Sequence, residues 1–162
     1  MGKSPYKIPR GAGFVEAANE ALRRQTAELL RNVDGTIDGD VEALHDMRVA
    51  SRRLRAAMSV FGPAYAAKRF TPLEKRVAAV TDGLGSVRDL DVLIEHLEKA
   101  EEGLAEAERV GVRALVHSIH EKRHAEREIL VRDLGRLKRS SFKEEMEELI
   151  GGPIELAEDD DG

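Results

Sequence analysis

A histidine and three arginines recur on one side of a single predicted helix in HDMRVASRRLRAAMSVF, residues 45–61. At about 100° per residue, Arg48, Arg52 and Arg55 fall within roughly 80° of His45, while Met47, Ala50, Leu54, Ala57, Met58 and Phe61 gather opposite. One helix therefore carries a core face and a cationic face. Guanidinium groups hold a fixed charge and a fork of donors that matches phosphate oxygens, so a row of them rising along a helix can follow a repeating anion. The ligand this spacing predicts is a phosphate chain. Arg53, about 100° round the wheel from Arg52, suits either the anion or an acid inside the bundle.

The formal net charge of −5 would oppose such a partner if it were evenly spread. Residues 45–88 instead carry nine Lys/Arg against three acids, and residues 144–162 carry nine acids and no base. The local field decides what binds where. Lys68, Arg69, Lys75 and Arg76 flank the start of the third long helix and extend the basic track, with Arg88 further along it. A solvated charged face is the bland reading of such a run. Against it, Arg48, Arg52 and Arg55 have no acid at helical pairing distance.

A second chemistry competes. His120-Glu121-Lys122-Arg123-His124 fits H-E-x-x-H on a helix, in which two histidines one turn apart bind zinc and the glutamate activates water. His117 adds a third imidazole on that face. The context argues the other way: two cations sit between the ligands, no strand aligns a substrate and no third-ligand motif follows. A metal-dependent hydrolase using His120, Glu121 and His124 is thus the alternative, and Arg123 and Arg127 are expected to continue the basic surface. Gly83-Leu84-Gly85 is too short for a phosphate loop. Nucleic acid ranks lower as a partner, because the chain has no Trp, two Tyr and four Phe to stack on bases. Docking of an acidic protein on a purely structural bundle is a further alternative.

The elements that position these residues read as helical throughout. A first helix is predicted from about Gly13 to Asn32 on Phe14, Ala18, Leu22 and Leu29, with Val15 and Ala21 beside them. Asp34-Gly35 to Gly39 reads as a turn, Asp38 or Asp40 as the cap of the second helix, and Gly62-Pro63 as its end. Thr71-Pro72 reads as the N-cap and first residue of a third helix with the stripe Leu73, Val77, Val80, Leu84, Val87, Ile94 and Leu97. Gly83 and Gly85 predict a kink or a close helix contact within it. A fourth helix runs from Ala105 to about Lys138 on Val112, Val116, Ile119, Leu130, Leu134 and Leu137. Ser140-Ser141 then opens a short fifth helix with Phe142, Met146, Leu149 and Ile150.

The expected fold class is all-α, an antiparallel bundle of four main helices plus a short C-terminal helix. It occupies residues 13–150, between a flexible N-terminal segment, 1–12, and an acidic disordered tail, 151–162. With 162 residues, 41% of them apolar, one domain can bury a core without staples. Zero cysteines exclude disulfides and thiolate chemistry, and no apolar run nears the roughly 18 residues needed to span a bilayer. A cytoplasmic protein with no cofactor and no catalytic residue is expected.

HDMRVASRRLRAAMSVF, then LGSVRDLDVLIEHL from Leu84 and RLKRSSFKEEMEELI from Arg136, together resemble the CHAD family, the conserved histidine α-helical domain. The resemblance implies an all-helical module that binds inorganic polyphosphate through a basic surface or central pore, with no catalytic activity, and with it an association with polyphosphate granules. It places the family histidine at His45, its arginines at Arg48, Arg52, Arg53 and Arg55, and the second motif at Arg88, Asp89 and Asp91; the two acids cannot attract phosphate and read as partners that hold arginines in place, with surface solvation as the alternative. Family domains are usually two related helical bundles, and the second His-x-x-Arg helix is not found here. The chain resembles the first half alone, so a two-fold homodimer is expected to restore the paired surface.

Overall fold

The computed structural model describes residues 13–156; the expected flexible segment 1–12 and residues 157–162 of the expected tail lie outside the described residues. The described chain runs through α1 (Phe14–Arg31), α2 (Val33–Asp38), α3 (Val41–Phe61), a 3-10 turn (Gly62–Ala64), α4 (Ala67–Glu101), α5 (Glu106–Arg139) and α6 (Phe142–Ile150). The all-α class holds: α1, α3, α4 and α5 are the main helices, α6 is the short C-terminal one, and no strand occurs among the described residues. Contacts fix the antiparallel order. Phe14 at the start of α1 packs on Phe61 at the end of α3, Arg55 of α3 meets Asp82 of α4, and Glu98 near the end of α4 faces His120 of α5.

Apolar stripes from all the long helices and α6 converge on one core. Leu22 and Leu29, Met47 and Leu54, Leu73 and Leu84, Leu130 and Leu134, and Phe142 and Met146 belong to the same buried cluster. Each such side chain contributes about 1.5–3 kcal/mol on burial, so the apolar stripe of α3 holds its cationic face outward. Ile154, 2% exposed, joins this core beyond the end of α6.

Three local expectations are corrected. Asp34-Gly35 to Gly39 is not an open turn but the helix α2, because Val33 and Thr36 are buried and Gly35 lets α2 approach α3. A Cβ on Gly35 would stand 2.7 Å from that of Ala43. Thr71-Pro72 does not open the third helix: α4 begins at Ala67 and carries Pro72 inside. Phe70 explains the earlier start, since it is 6% exposed and its ring stacks on Tyr65 at 5.8 Å. Burial of that ring offsets the backbone bond that proline forfeits. Phe14 and Val15 are 56% and 52% exposed, so the inward face of α1 starts at Ala17 and Ala18 instead.

Of the two outcomes expected at the glycines, the close contact is the one found. α4 is continuous, and a Cβ on Gly83 would lie 3.3 Å from Leu130 Cδ1 of α5. Asp40, not Asp38, caps α3, its Oδ1 accepting from the N–H groups of Glu42 and Ala43 at 2.8 and 3.2 Å.

Helix lengths are unequal: α4 and α5 have 35 and 34 residues, α1 and α3 only 18 and 21. Val41, the first residue of α3, shares a cavity wall with Asp91 of α4. Past that level α4 and α5 continue as a two-helix hairpin, and no side chain from Glu95 to Ser118 is buried. No helix among the described residues is long and apolar enough to cross a membrane.

Candidate functional site

The cationic face of α3 borders α4 along a groove of ≈ 470 Å³ lined by Arg48, Arg52, Arg55, Ala56, Thr81, Gly85 and Asp89. Its depth comes from small residues. Nothing lies within 4 Å of a Cβ built on Gly85, and the Thr81 hydroxyl folds back to the Val77 carbonyl at 2.8 Å. The buried Ser51 holds the helix locally, its hydroxyl donating to the Arg48 carbonyl at 2.9 Å.

Arg48 also borders a second cavity, ≈ 550 Å³, lined by Val41, Glu42, Leu44, His45, Asp46, Arg48, Arg88 and Asp91. The two cavities meet at Arg48, so His45, Arg48, Arg52, Arg55 and Arg88 form one run between α3 and α4. Thr81 and Gly85, which make the groove floor, were not among the sequence-derived residues. Their signal was two small residues one turn apart on the α4 side facing α3.

Partners separate these cations into two groups. The side chains of Arg48, Arg52 and Arg53 make no ion pair or hydrogen bond among the described residues. Arg55 reaches Asp82 at 3.1 Å and Arg88 reaches Glu95 at 3.5 Å, with all four side chains at least 40% exposed. Pairs of that kind contribute about 0–1 kcal/mol, so neither arginine is strongly held by its carboxylate.

Arg76, Arg123 and Arg127 are engaged within the fold instead. Arg76 donates to Glu145 at 3.1 Å and to the Ser140 hydroxyl at 2.6 Å, and its guanidinium lies 5.1 Å from the Phe142 ring centroid. Arg123 donates to both carboxylate oxygens of Asp91. Arg127 donates to the Ile37 carbonyl at 3.1 Å, tying α5 to α2. Lys68, Arg69 and Lys75 are exposed along α4 beyond the groove. By position, Lys68 and Lys75 continue one outward stripe with Asp82 and Asp89.

The H-E-x-x-H histidines point to separate carboxylates. His117 lies 3.6 Å from Glu121, His120 4.0 Å from Glu98, and His124 3.3 Å from Glu128. Among the described residues no three His, Asp or Glu side chains gather as a metal would need.

A family model for the CHAD domain matches residues 20–161, which span α3, both cavities and the helices that build them. The chain belongs to the CHAD-domain family. No curated protein and no solved structure matches it. Within this CHAD domain, the histidine and arginines of the first two motifs line the groove or its neighbouring cavity, apart from Arg53, which borders neither. Of the two acids in the second motif, Asp91 binds Arg123 and Asp89 lines the groove wall opposite Arg48.

Proposed function

We propose that this CHAD domain is a non-catalytic module that holds inorganic polyphosphate along the α3/α4 groove. One observation supports the reading above the others: Arg48 and Arg52 line an open groove with no acid paired to either among the described residues. Cations without internal partners, on a helix whose opposite face is fixed in the core, are ready to accept phosphate oxygens at little cost in ordering. His45 and Arg88 extend the run, and Lys68, Arg69 and Lys75 offer further charge along α4. The hydrolase reading on His120, Glu121 and His124 is disfavoured by the separate carboxylates those histidines face.

The test is competition between long-chain polyphosphate and single-stranded DNA, repeated with a chelator. Binding should prefer polyphosphate, ignore the chelator and fall with salt. At about −0.7 per phosphate contact for a single-stranded polyanion, five or six contacts give a log–log slope of roughly −4. A flat salt response, or release by EDTA, would overturn the reading.

A further inference from the structure

α4 packs between α3 and α5, with α1 and α6 on the other side of the core. The outward surface of the α3/α4/α5 layer therefore has a groove on each flank of α4. The second, ≈ 230 Å³, lies between α4 and α5, with Ala79 and Arg76 on one wall and Asp133 and Arg136 on the other.

Arg132, Arg136 and Arg139 recur at i, i+4 and i+7 on α5, within about 60° of one another on its outward side. Arg132 and Arg136 are 58% and 68% exposed and share one carboxylate, that of Asp133, at 3.9 and 3.7 Å. Arg139 has no ion-pair partner among the described residues. One acid against three guanidiniums leaves the row net positive.

The two arginine rows are staggered along α4. Arg55 meets Asp82, and Arg48 lies across the groove from Asp89, whereas Arg136 borders the same cavity as Arg76, Ala79 and Val80. A chain leaving Arg55 toward Arg136 crosses α4 obliquely over Ala79, between the exposed and unpaired Lys75 and Asp82, whose carboxylate Arg55 holds. Adjacent helix axes stand about 8–10 Å apart, so the rows on α3 and α5 are separated by no more than about 20 Å.

We propose that Arg132, Arg136 and Arg139 form a second binding row for the same polyphosphate chain, engaged only by polymer long enough to cross α4. The inference rests on the α3/α4 groove being a polyphosphate site. Charge complementarity with a linear polyanion carries it, together with the low ridge between the rows. Tripolyphosphate occupies one groove; a long chain occupies both.

The triple variant Arg132→Ala, Arg136→Ala, Arg139→Ala separates the possibilities when titrated with tripolyphosphate and with long-chain polyphosphate over a range of salt. Tripolyphosphate affinity should be unchanged. Long-chain affinity should fall about tenfold, with a salt slope shallower by about two, the equivalent of three lost contacts. Lysine at all three positions should keep the slope, because counterion release needs charge and not guanidinium shape. The Lys variant also controls for folding, with thermal melts of both variants expected to coincide with wild type. Unchanged long-chain affinity and slope in the Ala variant would overturn the second row and leave the α3/α4 groove standing. Equal losses for both polymers would also overturn it. Failure of the wild-type chain to bind either polymer would remove the groove reading itself.

Discussion

The guanidinium of Arg123 on α5 donates through Nε and Nη2 to the two carboxylate oxygens of Asp91 on α4, beside the cavity that His45 and Arg88 line. The side chains are 31% and 22% exposed, the most sheltered pairing of any candidate cation in the site. Asp91 thereby loses much of its repulsion toward an anion, and Arg123 acts as a positioning residue for the cavity wall. Asp91→Asn and Arg123→Ala should each lower stability by about 1 kcal/mol. Their effects on polyphosphate affinity should have opposite signs, a few-fold gain for Asp91→Asn and a few-fold loss for Arg123→Ala, read by titration at fixed salt. Losses in both would show that cavity geometry outweighs its charge.

Replacing Arg48 and Arg52 together with Ala should weaken polyphosphate binding on the order of a hundredfold, since each charge-assisted contact contributes about 1.5–3 kcal/mol. Helicity should be unchanged, because both side chains lie off the core. His120→Ala with His124→Ala should cost far less. A larger effect from the histidine pair would place the site on α5.

Docking of α6 should weaken in acid. The Ser141 hydroxyl and then Arg76 hold the Glu145 carboxyl below its ordinary 4.5. Lys143 and then the Ile154 N–H do the same for Glu147. Depressed carboxyls bind fewer protons folded than unfolded, so their contribution is complete above about pH 4.5 and is lost as pH falls through the lower folded values. Circular-dichroism melts from about pH 6 to about pH 3 should show a decline that Glu145→Gln with Glu147→Gln flattens. An identical decline in that variant would assign the acid sensitivity to other carboxyls.

Gly39→Ala should destabilise the fold by about 1–2 kcal/mol, for two additive reasons. Gly39 adopts φ +92°, and its added Cβ would stand 3.1 Å from Arg127 Nη2, the atom that holds the Ile37 carbonyl. Chemical denaturation measures this directly. A neutral result would mean that the loop between α2 and α3 relaxes without loss.

Much of the scaffold was legible because its signals are local. Asp40 caps the helix that starts one residue later, and the stripes of α3 and α4 follow from 3.6-residue periodicity. The misses came from contacts distant in sequence or from packing that overrides local preference. Thr71-Pro72 carries a strong start signal, yet the Phe70 and Tyr65 rings draw the helix a turn earlier. In the site, the cationic stripe on α3 was readable from spacing alone. That Arg123 and Arg127 serve the fold was not, because Asp91 and the Ile37 carbonyl lie 32 and 90 residues away. Arg132, Arg136 and Arg139 were not singled out in the sequence, because only the packing order of α3, α4 and α5 places them on the same surface as the groove.

The hairpin beyond Asp91 gives the molecule an uneven resistance to opening. Its part of α4 extends about 15 Å at 1.5 Å per residue, and from Glu95 to Ser118 its amides are held by helix and turn bonds without a buried side chain behind them. Such a segment exchanges hydrogen with solvent through local fraying, whereas amides around Leu54 and Leu84 wait for the whole core to open. Opening from the tip therefore meets its first buried side chains at Ile94 and Ile119, just short of the Arg123–Asp91 pair. Both arginine rows stand on the side of that pair that opens last.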